Sequence, residues 1–195
     1  MEKMGKVEQD KFIEKITDNQ GGMLRHIAEE AIRSHILKKP LELGANDPIL
    51  RHKAGVFVTV LEKGQLRGCI GHVYPRDSLI NTTKEAAVEA AVEDPRFPPI
   101  APEELDEIKV EVTVLGDIVE FDPRNKEELS KISLGEDGLI VSDGYHSGLL
   151  LPQVATEYNL DVLEFLEETC QKAGLPKDAW RSPSVHVYKF KGRVF

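Results

Sequence analysis

Cysteine is scarce in this chain: Cys69 and Cys170 are the only two among 195 residues, and they sit in unlike contexts. No disulfide framework can be built from such a pair, and a cytoplasmic setting disfavours bridging them. Cys-x-x-Cys pairs, a His-Glu-x-x-His helix, a phosphate loop and a dinucleotide glycine fingerprint are all missing. The six histidines are scattered, none with a second histidine at metal-site spacing. Together these absences exclude the common zinc and nucleotide chemistries, and neither metal nor cofactor is expected. Nor is there an apolar run approaching the ~20 residues that cross a bilayer. Met1 to Lys15 alternates charge instead of forming a secretory leader. The expectation is a cytoplasmic protein without membrane contact.

Basic patches are also lacking. The net charge is −9, and Ala101 to Cys170 holds 18 acidic residues against four basic ones. Phosphate backbones demand clustered Lys and Arg, and Arg67, Arg76 and Arg96 could at most line a local groove. Nucleic acid is therefore not an expected partner. The acidic half reads as a solvated face that resists aggregation.

What is present is a mixture of helical and strand periodicities. Leu24, Ile27, Ala28, Ala31, Ile32 and Ile36 follow helical spacing, with Asp18 or Asn19 as cap and Pro40 beyond the end. Gly44 to Pro48 reads as a surface loop. Val56–Val60 and Leu66–Val73 form a hairpin, and a helix with a small-residue face runs from Leu79 to Glu93. Prolines 95, 98, 99 and 102 hold an extended connector. Ile108 to Leu115 alternates as a half-buried strand, and Asp122-Pro123 reads as a helix start. A second hairpin flanks Asp143 to Gly148, Asp161 and Glu164 cap a further helix, and Val185 to Phe190 closes the fold. Hairpins interleaved with helices predict an α+β fold with a mainly antiparallel sheet flanked by helices. One domain over 1–195 is expected, with residues 1–16 as a loose arm and the core at about 24–190.

Leu66-Arg67-Gly68-Cys69-Ile70-Gly71 stands out. Glycine weakens a strand, so two of them three residues apart suggest a bulge or a close approach of backbone or ligand. Arg67 lies two residues from Cys69, on the same face of a regular strand, and His72 lies on the opposite face. Cys69 is either a small core residue or a thiol whose ionisation a nearby cation favours. Asp94-Pro95-Arg96-Phe97 is either an ion-pair clasp on the connector or an anion site.

LRGCIG resembles the signature of the AMMECR domain family. Further collinear blocks carry the likeness: Phe57-Val58-Thr59-Val60, Asp94-Pro95-Arg96-Phe97-Pro98-Pro99, Gly148 to Ala155, Glu164-Phe165-Leu166, Lys172 to Leu175, and Trp180. The resemblance spans about Leu24 to Phe190. It implies a main sheet-and-helix lobe, a smaller second lobe and a cleft between them, with Arg96 near the Cys69 face. It also implies membership of a three-part system, AmmeMemoRadiSam, with a Memo-like protein and a radical-SAM enzyme. Two positions depart from the family pattern. His146-Ser147 stands where relatives often carry a basic residue, and Leu160 where they commonly have tryptophan.

The expected function is a substrate-binding or adaptor component of a shared modification pathway, handling an unknown small molecule or peptide. Its candidate binding residues are Arg67, Gly68, Gly71, His72, Asp94, Arg96 and His146. Two alternatives stand beside it. One is an enzyme with Cys69 as thiol nucleophile and Arg67 and Arg96 holding an anionic group. The other is a purely structural LRGCIG strand.

Overall fold

The computed structural model describes residues 10–41, 47–75 and 77–195. Most of the expected N-terminal arm, the start of the Gly44 to Pro48 loop, and Arg76 lie outside the described residues. The chain forms two compact units, one comprising the segment up to Leu115 together with Arg193–Phe195, the other Gly116–Gly192.

In the first unit, α1 (Asp10–Lys15) precedes the long α2 (Asp18–Leu37). The α2 cap is Thr17 rather than Asp18 or Asn19: Thr17 and Gln20 form a reciprocal capping box. Leu24, Ile27, Ala28, Ala31 and Ile32 make its buried stripe, as the periodicity predicts. Strands β1 (Val56–Glu62), β2 (Gln65–His72) and β3 (Ile108–Leu115) pair antiparallel with β1 in the middle. Val56, Val58 and Val60 are fully buried on one face, opposite Val114, Val112 and Val110 of β3 and His72, Ile70 and Gly68 of β2. Helices α2 and α3 (Leu79–Val92) pack over that face.

Small side chains bring α3 in close. Ala86, Ala87, Ala90 and Ala91 are all buried, and Gly68 offers no Cβ, so the Ala90 carbonyl oxygen rests directly on β2. Gly71 is equally confined, by the Val56 carbonyl and the Phe57 ring. Both glycines are required by close approach. Ser78 caps α3 through the Asn81 N–H.

In the second unit, β4 (Val119–Phe121) and β5 (Asp137–Ser142) flank β7 (His186–Val194), and β6 (Ser147–Leu150) pairs with β5. Helices α4 (Lys126–Leu129), α5 (Pro152–Glu157) and α6 (Val162–Lys172) complete it. Asp122-Pro123 makes a turn, and the helix begins later with Asn125 as its cap. Asp161 and Glu164 form the expected capping box on α6. The core gathers Phe121, Leu139, Val141, Phe165, Leu166, Cys170, Trp180 and Val187.

β7 runs well past Phe190, and beyond Gly192 its last residues belong to the first unit, where Phe195 exchanges backbone hydrogen bonds with Val112 of β3. The strand order is β2-β1-β3 in the first unit, and in the second β7 pairs with β4 and β5, and β5 with β6. The fold is α+β with an antiparallel sheet. Ile70 and Leu150 are only half-buried, because β2 and β6 are edge strands. Among the described residues no helix is long and apolar enough to cross a membrane.

A Gly68→Ala substitution drives its methyl into the Ala90 carbonyl, so α3 must shift. We expect a loss of about 1–3 kcal/mol in denaturant unfolding, typical of overpacking. An unchanged midpoint would show that α3 yields without cost.

Candidate functional site

The signature strand does not alternate regularly. Leu66 faces Leu61 and Gly68 faces Val60, which leaves Arg67 as the extra residue of a β-bulge. The expected shared face of Arg67 and Cys69 is therefore broken, and the two side chains serve different structures. Arg67 is 9% exposed. Its Nε and Nη2 donate to the Glu104 carboxylate at 2.8 and 3.2 Å, and Nη1 donates to the Pro98 carbonyl at 2.8 Å. Glu104 also accepts from the Ala101 N–H at 2.7 Å. The Arg67 hydrogen bonds, then that of Ala101, hold the Glu104 carboxyl below its ordinary range. This bidentate clasp fastens the proline connector.

Cys69 faces Thr59 across the hairpin, and the Thr59 hydroxyl donates to its Sγ at 3.3 Å. Its backbone N–H donates to Asp94 Oδ2 at 2.9 Å. Asp94 stands just past the end of α3 and is only 5% exposed. It also receives Arg96: Nε donates to Oδ1 at 2.9 Å, Nη2 to Oδ2 at 2.7 Å, and the backbone N–H to Oδ1 at 3.1 Å. Arg96 Nη2 reaches the Cys69 carbonyl at 3.4 Å, and the guanidinium lies over the Phe97 ring. Cys69, Asp94 and Arg96 thus converge, with Thr59 beside them.

The electrostatics follow from these bonds. The Arg96 side chain, then the Cys69 and Arg96 N–H groups, hold the Asp94 carboxyl well below the usual carboxylate range against the opposing effect of burial. Asp94 in turn raises the Arg96 guanidinium, through its hydrogen bonds first and its charge second. Cys170, by contrast, is fully buried, and burial pushes its thiol up. Neither cysteine forms a disulfide.

Two candidates fall elsewhere. His72 sits opposite Val56, on the helix-covered face of β2, with Nε2 2.9 Å from Glu89 Oε2. His146 belongs to the second unit, at the β5–β6 tip. There Asp143 accepts the His146 and Tyr145 N–H groups and contacts the His146 ring at 3.1 Å, which lowers its carboxyl to about 2. Gly68 and Gly71 shape the backbone, as described above. Sequence reasoning missed Thr59 and Glu104. Hairpin pairing across Lys63-Gly64 could have pointed to Thr59; nothing local marks Glu104 as the partner of Arg67.

A sequence profile of the AMMECR1 family matches residues 25–195. The chain belongs to the AMMECR1 family. A protein of Methanothermobacter thermautotrophicus is 47% identical, with 92% of this chain and 95% of that protein covered. One from Thermococcus kodakarensis is 45% identical, at 93% and 92% coverage. The crystal structure of an uncharacterised protein from Pyrococcus horikoshii superposes with a TM-score of 0.86 at 44% identity, covering 92% of each chain. The AMMECR1 match takes in every residue of the Cys69–Asp94–Arg96 cluster.

Asp94 also sets a pH dependence. Its folded pKa is depressed, so its contribution is complete above the unfolded value of about 3.9 and is lost as pH falls towards the folded value. Asp94→Asn should cost about 1–2 kcal/mol at pH 7, since water screens the exposed side of Arg96. The gap to wild type should narrow at pH 3. A gap equal at both values, by urea unfolding, would contradict this linkage.

Proposed function

We propose that this AMMECR1-family protein is the substrate-binding or adaptor component of a cytoplasmic modification pathway shared with a Memo-like protein and a radical-SAM enzyme. In this reading the surface around Cys69 and Arg96 holds a carboxylate- or phosphate-bearing small molecule or peptide. One observation carries it. Asp94 grips Nε and Nη2 of Arg96, while the side chain stays 45% exposed and Nη1 has no hydrogen-bond partner among the described residues. A guanidinium fixed in this way presents an oriented donor beside a thiol at little entropic cost. The pair is electrically neutral, so recognition rests on hydrogen-bond direction more than on long-range attraction.

The enzyme alternative has its own support. The Thr59 hydroxyl bond to Sγ and the nearby Arg96 charge both favour a thiolate. A base to activate it is harder to name, since His72 points to the other face of β2. Binding is therefore preferred to catalysis.

Co-purification from the native host, followed by mass spectrometry, tests the binding reading. The wild-type chain should bring down both partner proteins and an acidic ligand, and a folded Arg96→Ala chain should lose the ligand. Recovery of neither from wild type sinks the proposal. Iodoacetamide labelling against pH addresses the alternative, with buried Cys170 as the slow internal reference. Arg96→Ala should move the Cys69 labelling midpoint upward, and an unmoved midpoint removes Arg96 as a thiolate partner.

A further inference from the structure

The helix-covered face of β2 carries a second constellation, three residues from Cys69. The ligand atoms of His72, Glu85 and Glu89 all lie within 4.8 Å of one another. Glu85 and Glu89 are four apart on α3 and share a face, where two like charges repel unless something neutralises them. The imidazole does not do so through an ordinary hydrogen bond. His72 Nε2 is shielded from solvent and makes none, although Glu89 Oε2 stands 2.9 Å away. The carboxylate oxygen approaches off the ring N–H axis.

That combination of short distance and wrong direction is what two neighbouring ligands of one ion show. Ligand atoms each about 2.1 Å from a cation are about 3.0 Å apart at a right angle and about 3.4 Å apart at the tetrahedral angle, so the 2.9 Å between His72 and Glu89 matches the right-angled arrangement of a five- or six-coordinate ion. We propose that His72, Glu85 and Glu89 bind a single divalent first-row transition cation, with coordination positions left open. One imidazole nitrogen with two carboxylates suits zinc or a neighbouring metal better than magnesium, which prefers all-oxygen surroundings. The helix side of the site is rigid, because Ala90, one residue beyond Glu89, is pressed onto Gly68. The histidine comes from the strand that α3 touches there, so close packing of helix and strand also sets the ligand spacing. Spacing rules built on histidine pairs could not reveal this site, since two of its three ligands are glutamates distant in sequence from the histidine. It is independent of the function proposed for Cys69 and Arg96.

The test uses the full chain without a histidine tag, stripped with EDTA and titrated with zinc chloride by calorimetry. We expect one zinc per chain, a raised thermal midpoint, and magnesium binding at least tenfold weaker. Glu85→Gln and Glu89→Gln should each weaken zinc binding tenfold or more, as should His72→Gln, while Cys69→Ser leaves it unchanged. Glu85 is exposed, so its variant keeps the fold and decides the matter even if His72→Gln does not. Absence of saturable zinc binding, or equal affinity in wild type and Glu85→Gln, overturns the proposal and leaves His72 and Glu89 as a plain ion pair.

Discussion

The contact between the Ala90 carbonyl and Gly68 is the constraint on which the first unit turns. A helix normally stands off a sheet by the length of its side chains, yet here the alanine face of α3 and a strand position with no Cβ let backbone meet backbone. Every group that α3 positions inherits that precision. Its end delivers Asp94 to the Cys69 N–H, and its exposed flank carries Glu85 and Glu89 to His72. Were α3 an ångström further out, Asp94 would lose the strand amide and Arg96 would lose its fixed plane.

Four residues of the signature then have separate physical tasks. Arg67 fastens the proline connector through Glu104, Gly68 admits α3, the Cys69 amide grips Asp94, and Gly71 yields to the Val56 carbonyl and the Phe57 ring. Arg67 and Arg96 look alike in sequence but differ in consequence. The first has its donors occupied in a buried clasp, whereas the second is held by one carboxylate and faces water.

Much of this was legible in the sequence, for identifiable reasons. The valine face of β3, the helical stripe of α2, the alanine face of α3 and the Asp161–Glu164 box are local patterns, and local patterns survive folding, although Thr113, on the other face of β3, is buried as well. Gly68 and Gly71 also announced a close approach. A bulge was the other reading the glycines offered, but its place at Arg67 was not legible, because register is a property of two strands and the motif lies on one. The Asp94–Arg96 ion pair is present as the clasp reading has it, but the second clasp on the connector, between Arg67 and Glu104, joins residues 37 apart and had no local signal. The Thr17 cap was missed for a smaller reason: Asp18 and Asn19 are equally good capping residues, and only the Gln20 reciprocity distinguishes the position.

The bulge decides which side chains each face of β2 carries. With Arg67 as the extra residue, Gly68, Ile70 and His72 align with the buried valines of β1, and Cys69 and Gly71 turn to the other face with Thr59 and Phe57. A pairing shifted by one residue would exchange these sets. Cys69 would then face α3, His72 would leave its glutamates, and a Cβ-bearing residue would meet the Ala90 carbonyl. The close approach at Gly68 forbids that alternative, because no neighbouring position on β2 but a glycine could take its place. Steric exclusion at one backbone contact thereby selects which face of β2 carries the thiol and which carries the imidazole.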